Sequence, residues 1–270
     1  MKRLFQSRLR VQLCLIGVIL SALPSLLYSS GVSISVSPIR VEHLVKPGEK
    51  GTDMISVTND GTDATRLKVT IEDWKLTKDG NPTFVKVGSD PYSCAEWIRI
   101  NPVDFRIGPG QTREVRYTVS VPPEIQEGGY RAAIIFETVP DVTPGQKVKR
   151  VLLKGRIVTM VYEVVGKPSI EGHASGLKAE PKKDGVDFVL TLQNTGKVHY
   201  RTKGTFTIKD ASDQKAFEVD IPDVPVLPGS DRDIRIRHDE PIPKGTYSAM
   251  AVVDIGKKEL IGAETTFTIE

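Results

Sequence analysis

The side chains best able to do chemistry in this sequence are its histidines, cysteines and adjacent carboxylates, and their spacing gives none of them a partner. His43, His173, His199 and His238 stand singly, with no His-x-x-x-His or Cys-x-x-Cys arrangement. A zinc site would have to gather its ligands from distant strands, so exposed strand or loop positions are expected for all four. Glu72-Asp73 and Asp239-Glu240 are consecutive, and consecutive strand residues point to opposite faces, where they do not share a proton. There is no Gly-x-Ser-x-Gly elbow, no phosphate-cradling Gly-x-x-x-x-Gly-Lys-Ser/Thr and no dinucleotide fingerprint. The Asp210 to Asp213 turn lacks EF-type spacing and reads as a solvated turn. Cys94 has no histidine near it in sequence and reads as a small buried hydrophobe. Trp74 and Trp97 lie in strand-like contexts where burial is the default, which leaves little for a carbohydrate-binding or hydrolytic site. The expectation is a protein that is not an enzyme and has no metal or cofactor.

The elements that position these residues are strands. From Val32 onward the pattern is period two, with no stretch of helical periodicity. Leu67, Val69, Ile71 form one run; Val115, Tyr117, Val119, Val121 another; Val186, Phe188, Leu190, Leu192 a third; Phe217, Val219, Ile221 a fourth. One-sided alternation implies sheets with one packed and one wet face. The pattern also repeats. Val57-Thr58-Asn59-Asp60-Gly61 matches Leu192-Gln193-Asn194-Thr195-Gly196, and Gly108-Pro109-Gly110 before Arg113 to Tyr117 matches Leu227-Pro228-Gly229 before Arg232 to Ile236. Gly128-Gly129-Tyr130 matches Gly245-Thr246-Tyr247. Three signposts in the same order indicate a duplicated module. About seven strands per half, with turn signals about every ten residues, predict an all-β chain of two immunoglobulin-like β-sandwich domains in tandem.

Composition agrees. Hydrophobic residues are 39% and charged residues 26% of 270, which excludes a multi-span membrane protein and a charge-rich disordered chain. Basic Met1 to Arg10, apolar Val11 to Leu27 and small residues at Ser29, Ser30 and Gly31 form a secretory signal pattern. An uncleaved anchor is the alternative, since the apolar run approaches the ~17–20 residues that span a bilayer. That segment holds four of the 37 basic residues, so without it 33 basic face 34 acidic residues and nucleic-acid binding is not expected. The expected organisation is a signal segment over 1–31, one sandwich over 32–166 and a second over 167–270, divided near Gly166-Lys167-Pro168. Contact with a membrane is then limited to the signal segment during export, and the location is periplasmic or otherwise extracytoplasmic. Loss of Cys14 with the signal leaves Cys94 alone and allows no internal disulfide.

Ser35-Val36-Ser37-Pro38-Ile39-Arg40-Val41 resembles the first strand of the periplasmic pilus (fimbrial) chaperones, with an Arg among apolar neighbours. The order of Lys46-Pro47-Gly48-Glu49, Val57-Thr58-Asn59, Trp97-Ile98-Arg99-Ile100, Pro109-Gly110, Ile134-Ile135-Phe136 and Met160-Val161-Tyr162 is similar to that family over nearly all of the mature chain. The resemblance implies a two-domain chaperone that binds secreted pilin-like or other β-rich subunits by strand addition and anchors a terminal carboxylate on basic side chains, with no nucleic acid and no small-molecule substrate. Arg40 matches the first-strand anchor. The family's second basic position falls on Thr159, which is uncharged, leaving Arg156 or Lys154 as substitutes. Along Lys147 to Val165 the candidate donor side chains are Val151, Leu153 and Ile157, a stripe that is equally compatible with sandwich core. The chaperone reading predicts an exposed edge on Val148 to Ile157 and a partly buried Arg40 between the sandwiches. The alternative is an extracytoplasmic structural or adhesion module whose strand residues serve packing alone.

Overall fold

Alternating sequence becomes antiparallel sheet over most of the computed structural model, which describes residues 33–140 and 154–270. The signal segment, Val151 and Leu153 lie outside the described residues. The first group of strands comprises β1 (Ile34–Ser37), β2 (Arg40–Val45), β3 (Lys50–Asn59), β4 (Thr65–Leu76), β5 (Pro82–Val85), β6 (Ile98–Asn101), β7 (Asp104–Ile107), β8 (Thr112–Ser120), β9 (Gly128–Val139) and β10 (Arg156–Val165). One sheet runs β1-β3-β8-β6; the facing sheet runs β2-β10-β9-β4-β5, with β7 also on β4. The chain therefore changes sheets between β1 and β2, at a cis Ser37–Pro38 bond. Strand β2 joins β10 in parallel, whereas β10 and β9 are antiparallel.

The second group comprises β11 (Gly172–Lys182), β12 (Gly185–Asn194), β13 (Tyr200–Arg201), β14 (Lys203–Asp210), β15 (Lys215–Asp220), β16 (Pro225–Val226), β17 (Asp231–His238), β18 (Gly245–Asp254) and β19 (Ile261–Ile269). Its sheets run β11-β12-β17 and β15-β14-β18-β19, with a short β13-β16 pair. Each group encloses its own apolar cluster: Ile55, Val57, Val115, Tyr117, Ile134 and Phe136 in the first, Phe188, Leu190, Phe206, Ile208, Ala251 and Phe267 in the second. The fold is all-β, two sandwiches in tandem. In the run Phe217, Val219, Ile221 only Val219 fails to pack inward: β15 is an edge strand and leaves it 37% exposed, while Phe217 packs against the second cluster.

The three sequence signposts carry matching hydrogen bonds. Asn59 Nδ2 donates to Asp63 O (2.8 Å) and Ile107 O (3.1 Å), while its Oδ1 accepts from Gly61 N (3.0 Å). Asn194 Nδ2 donates to Val198 O (2.9 Å) and Val226 O (2.8 Å), and its Oδ1 accepts from Gly196 N (2.9 Å). Gly110 (φ 66) and Gly229 (φ 67) both turn in the left-handed region that glycine tolerates, and their amides donate to Asn59 O and Asn194 O. Tyr130 Oη donates to Gln126 O and Tyr247 Oη to Pro243 O, each four residues back and each at 3.0 Å, the geometry of a tyrosine corner.

The sandwiches touch through named contacts. Asp233 N donates to Lys78 O (2.8 Å), Gly129 N donates to Lys197 O (2.7 Å), and Arg235 pairs with Asp79 (3.0 Å). Leu227 packs with Trp74 and Tyr162.

Candidate functional site

The β9–β10 hairpin is apolar on both faces. Along β9, Ala132, Ile134 and Phe136 enter the sandwich core, while Ala133 and Ile135 face the other way. Along β10, Ile157, Val161 and Val165 pack on the core side, whereas Val158, Met160 and Tyr162 join Ala133, Ile135, Trp74 and Leu227 on the outer face. An antiparallel sheet with one wet face has no need of that second apolar surface. Leu76, Phe84, Val158 and Met160 are only half-buried there, so the surface is partly open. Tyr162 sits edge-on to Trp74 (5.5 Å between centroids) and 4.3 Å from the His199 ring. Burial pushes the Tyr162 hydroxyl up to about 12, so it stays a neutral phenol.

Strand β2 closes part of the β10 edge. Met160 to Val165 lie opposite Arg40 to Val45, Met160 N donates to Ile39 O (2.9 Å), and Thr159 Oγ1 donates to Pro38 O (2.8 Å). Thr159 thus ties β10 to the segment ahead of β2. Among the described residues no strand pairs with the same edge of Arg156 to Val158. Because Met160 N points to that edge, period two directs the Val158 and Arg156 amides the same way. Ile39, 68% exposed, flanks this opening.

The basic candidates occupy different places. Arg40 is exposed, where a partly buried residue was expected; it projects on the face of β2 that carries Glu42. Glu42 accepts from His199 Nε2 at 3.1 Å, and this bond holds its carboxyl below the usual range, with the Arg40 and Arg201 charges adding to the effect. Lys154 Nζ meets Glu137 Oε1 at 3.0 Å. Arg156 binds Glu72 Oε1 at 2.5 Å, lies 3.8 Å from Glu137 Oε2 and rests over the Phe84 ring. Lys154 and Arg156 therefore share Glu137. Arg156 stands four positions before Met160, the partner of Arg40, which is about 13 Å of strand. Ile157 is half-buried against the core cluster.

Two contributors were not anticipated. His199 is 6% exposed rather than exposed, because the second sandwich places it against Tyr162 and Glu42. Arg201 lies one β13 position beyond Tyr200 and donates to Asp223 Oδ1 at 2.6 Å. Only the docking of the second sandwich brings either residue to β2, and nothing in the local sequence signals it. Chemically, the assembly offers a short free backbone edge, an adjoining apolar face and an exposed guanidinium. Among the described residues no group of three or more His, Cys, Asp or Glu is placed to hold a metal ion.

No protein-family model matches this chain, and no curated protein matches it. Solved structures do resemble it. The chaperone–tip adhesin complex of CFA/I fimbriae biogenesis is 11% identical, covering 87% of this chain and 98% of that one at a TM-score of 0.47. The class 5 fimbriae chaperone CfaA is 12% identical over 88% and 100%, TM-score 0.46. The CsuC–CsuE chaperone–tip adhesion subunit complex of Acinetobacter baumannii is 15% identical over 86% and 98%, TM-score 0.45. What this chain shares with them is a likeness in the arrangement of its strands.

Proposed function

We propose that this protein is an extracytoplasmic, chaperone-like binder of secreted β-rich subunits of the pilus or fimbrial type, acting by strand addition at the β10 edge without catalysis. It is exported by its signal segment and organised as units 32–166 and 167–270. The observation that carries this reading is the unpaired edge of Arg156 to Val158, bordered by an apolar face and by Arg40. An open edge is a template for another chain: main-chain bonds give affinity, and alternate side chains entering pockets give specificity. In this reading Val151, Leu153 and Ile157 supply those side chains and Arg40 receives the subunit's terminal carboxylate through its planar fork. Arg156 and Lys154 are the auxiliary cations, available once a client carboxylate competes with Glu72 for Arg156 and with Glu137 for both.

The test is co-expression in the periplasm with a β-rich pilus subunit. Wild type should capture it; Arg40→Ala and Val158→Pro should not, the latter because proline removes an outward amide while leaving the β9 ladder intact. A second reading, a tandem structural or adhesion module, is favoured by the pairing of β2 along Met160 to Val165, which closes most of the described β10 edge. Equal capture by all three proteins, or none by wild type, selects that reading.

A further inference from the structure

Period two places Ile55 and Val57 of β3, Val41 of β2 and Val161 of β10 inward in the first sandwich. At the mouth of the same interior the residue type changes. Asp53 and Gly51 continue the inward positions of β3, His43 those of β2 and Glu163 those of β10. These residues line a cavity of about 250 Å³ with Tyr117, Val119 and Val121. Three neighbouring segments thus substitute polar groups or glycine for core residues at one level.

Glu163 is fully buried, and His43 Nδ1 meets its Oε1 at 2.9 Å. Its Oε2 has no protein partner, and neither does Tyr117 Oη, although Tyr117 is 1% exposed. A buried carboxylate with half its hydrogen-bonding capacity unused is costly unless another group completes it. One imidazole does not neutralise the lining, which carries Glu163, Asp53 and Glu49. The walls are aliphatic at Val119 and Val121 and aromatic at Tyr117, whose ring face attracts a cation. A hard divalent ion needs six or more oxygens, and no such convergence exists among the described residues. The size lies below the ~300–1,000 Å³ usual for drug-sized ligands.

We propose that this cavity binds a small alkylammonium ligand, its ammonium held by Glu163 Oε2 and Tyr117 Oη with Asp53 as second counter-charge, and its aliphatic body against Val119 and Val121. The site lies inside the sandwich, apart from the β10 edge. Gly51 supplies a steric control: it lines the cavity and a Cβ there meets nothing within 4 Å, so a larger side chain can be placed into that space without altering the charged residues.

The experiment is calorimetric titration of the full chain with n-butylammonium, above the imidazole range, with n-butyrate, n-butanol and calcium as comparison probes. Saturable binding of n-butylammonium alone is expected, weakened about tenfold or more in Glu163→Gln by loss of a charge-assisted bond. Gly51→Leu should abolish it, and decides the matter if Glu163→Gln fails to fold. Val158→Pro should bind the amine as wild type does, whatever becomes of client capture. Absence of saturation by n-butylammonium, equal binding of butyrate, butanol or calcium, or unchanged affinity in Gly51→Leu overturns the proposal.

Discussion

Asn59, Gly110 and Tyr130 in the first sandwich, and Asn194, Gly229 and Tyr247 in the second, make the same bonds to the same relative backbone positions. The interiors behind them differ. The first buries Asp73, Asp90, Arg131 and Glu163, whereas His199 is the one buried residue among the Asp, Glu, Lys, Arg and His of the second in the described residues, and it faces the first. The second core is instead aromatic, with Phe188 between Phe206 and Phe267. A repeated backbone scaffold therefore accepts two kinds of interior, and the polar one belongs to the sandwich that bears the edge and the cavity.

The sharpest way to break this contrast is to disturb the polar interior. Arg131 Nη2 meets Asp90 Oδ2 at 2.6 Å, its Nε donates to Trp74 O, and both partners are almost fully buried. Asp90→Ala should cost about 3–5 kcal/mol by stranding the guanidinium. Both tryptophans lie in the first half of the sequence, so their fluorescence follows the first sandwich in urea, while far-ultraviolet circular dichroism follows both. A loss seen equally by both probes would mean that the sandwiches unfold as one unit.

The next test sharpens the likeness. Asn59→Ala and Asn194→Ala each leave two carbonyls and an amide without the side chain, and each should cost about 2–3 kcal/mol. A difference of more than about twofold would show that the two turns are alike in geometry and unlike in energy. Tyr130→Phe and Tyr247→Phe remove one bond each and should cost about 1 kcal/mol, again matched.

The smallest effects are those of pH. The bond to Glu163 holds His43 above the usual imidazole value. Its contribution is complete below about pH 6.5 and is lost as pH rises through the raised value. The tryptophan-detected midpoint should therefore fall from about pH 6 to 8, and His43→Gln should flatten the fall. Glu42, held low by His199, acts oppositely: its contribution is present above the ordinary glutamate range and is lost as pH drops through the lowered value. Glu42→Gln should flatten that acid limb.

The fold was legible because its signals are local. Asn-x-Gly, Pro-Gly and Gly-x-Tyr each fix a turn with residues adjacent in sequence, and alternation sets which side chains share a face. Val115, Tyr117, Val119 and Val121 are all buried, as their pattern predicted, and so is Cys94. The cavity was not legible, because Glu163 interrupts an apolar strand by a single residue and its partner His43 stands 120 positions away. His173 is exposed as expected, whereas buried His199 and half-buried His43 and His238 are not, for the same reason: a lone imidazole reads as exposed until the segment that covers it is known. Arg40 could be singled out from its apolar neighbours, but its exposure depends on how far the second sandwich stands from β2.

The exchange of sheets by β1 and β2 has a consequence for the order of assembly. One short stretch near the front of the described chain is stitched to β3 and also to β10, the last strand of its sandwich. A chain delivered front end first can pair β1 with β3 early but must hold β2 unmatched until β10 arrives, and such long-range closure is intrinsically slow. The second strand to emerge is thus among the last to find its place.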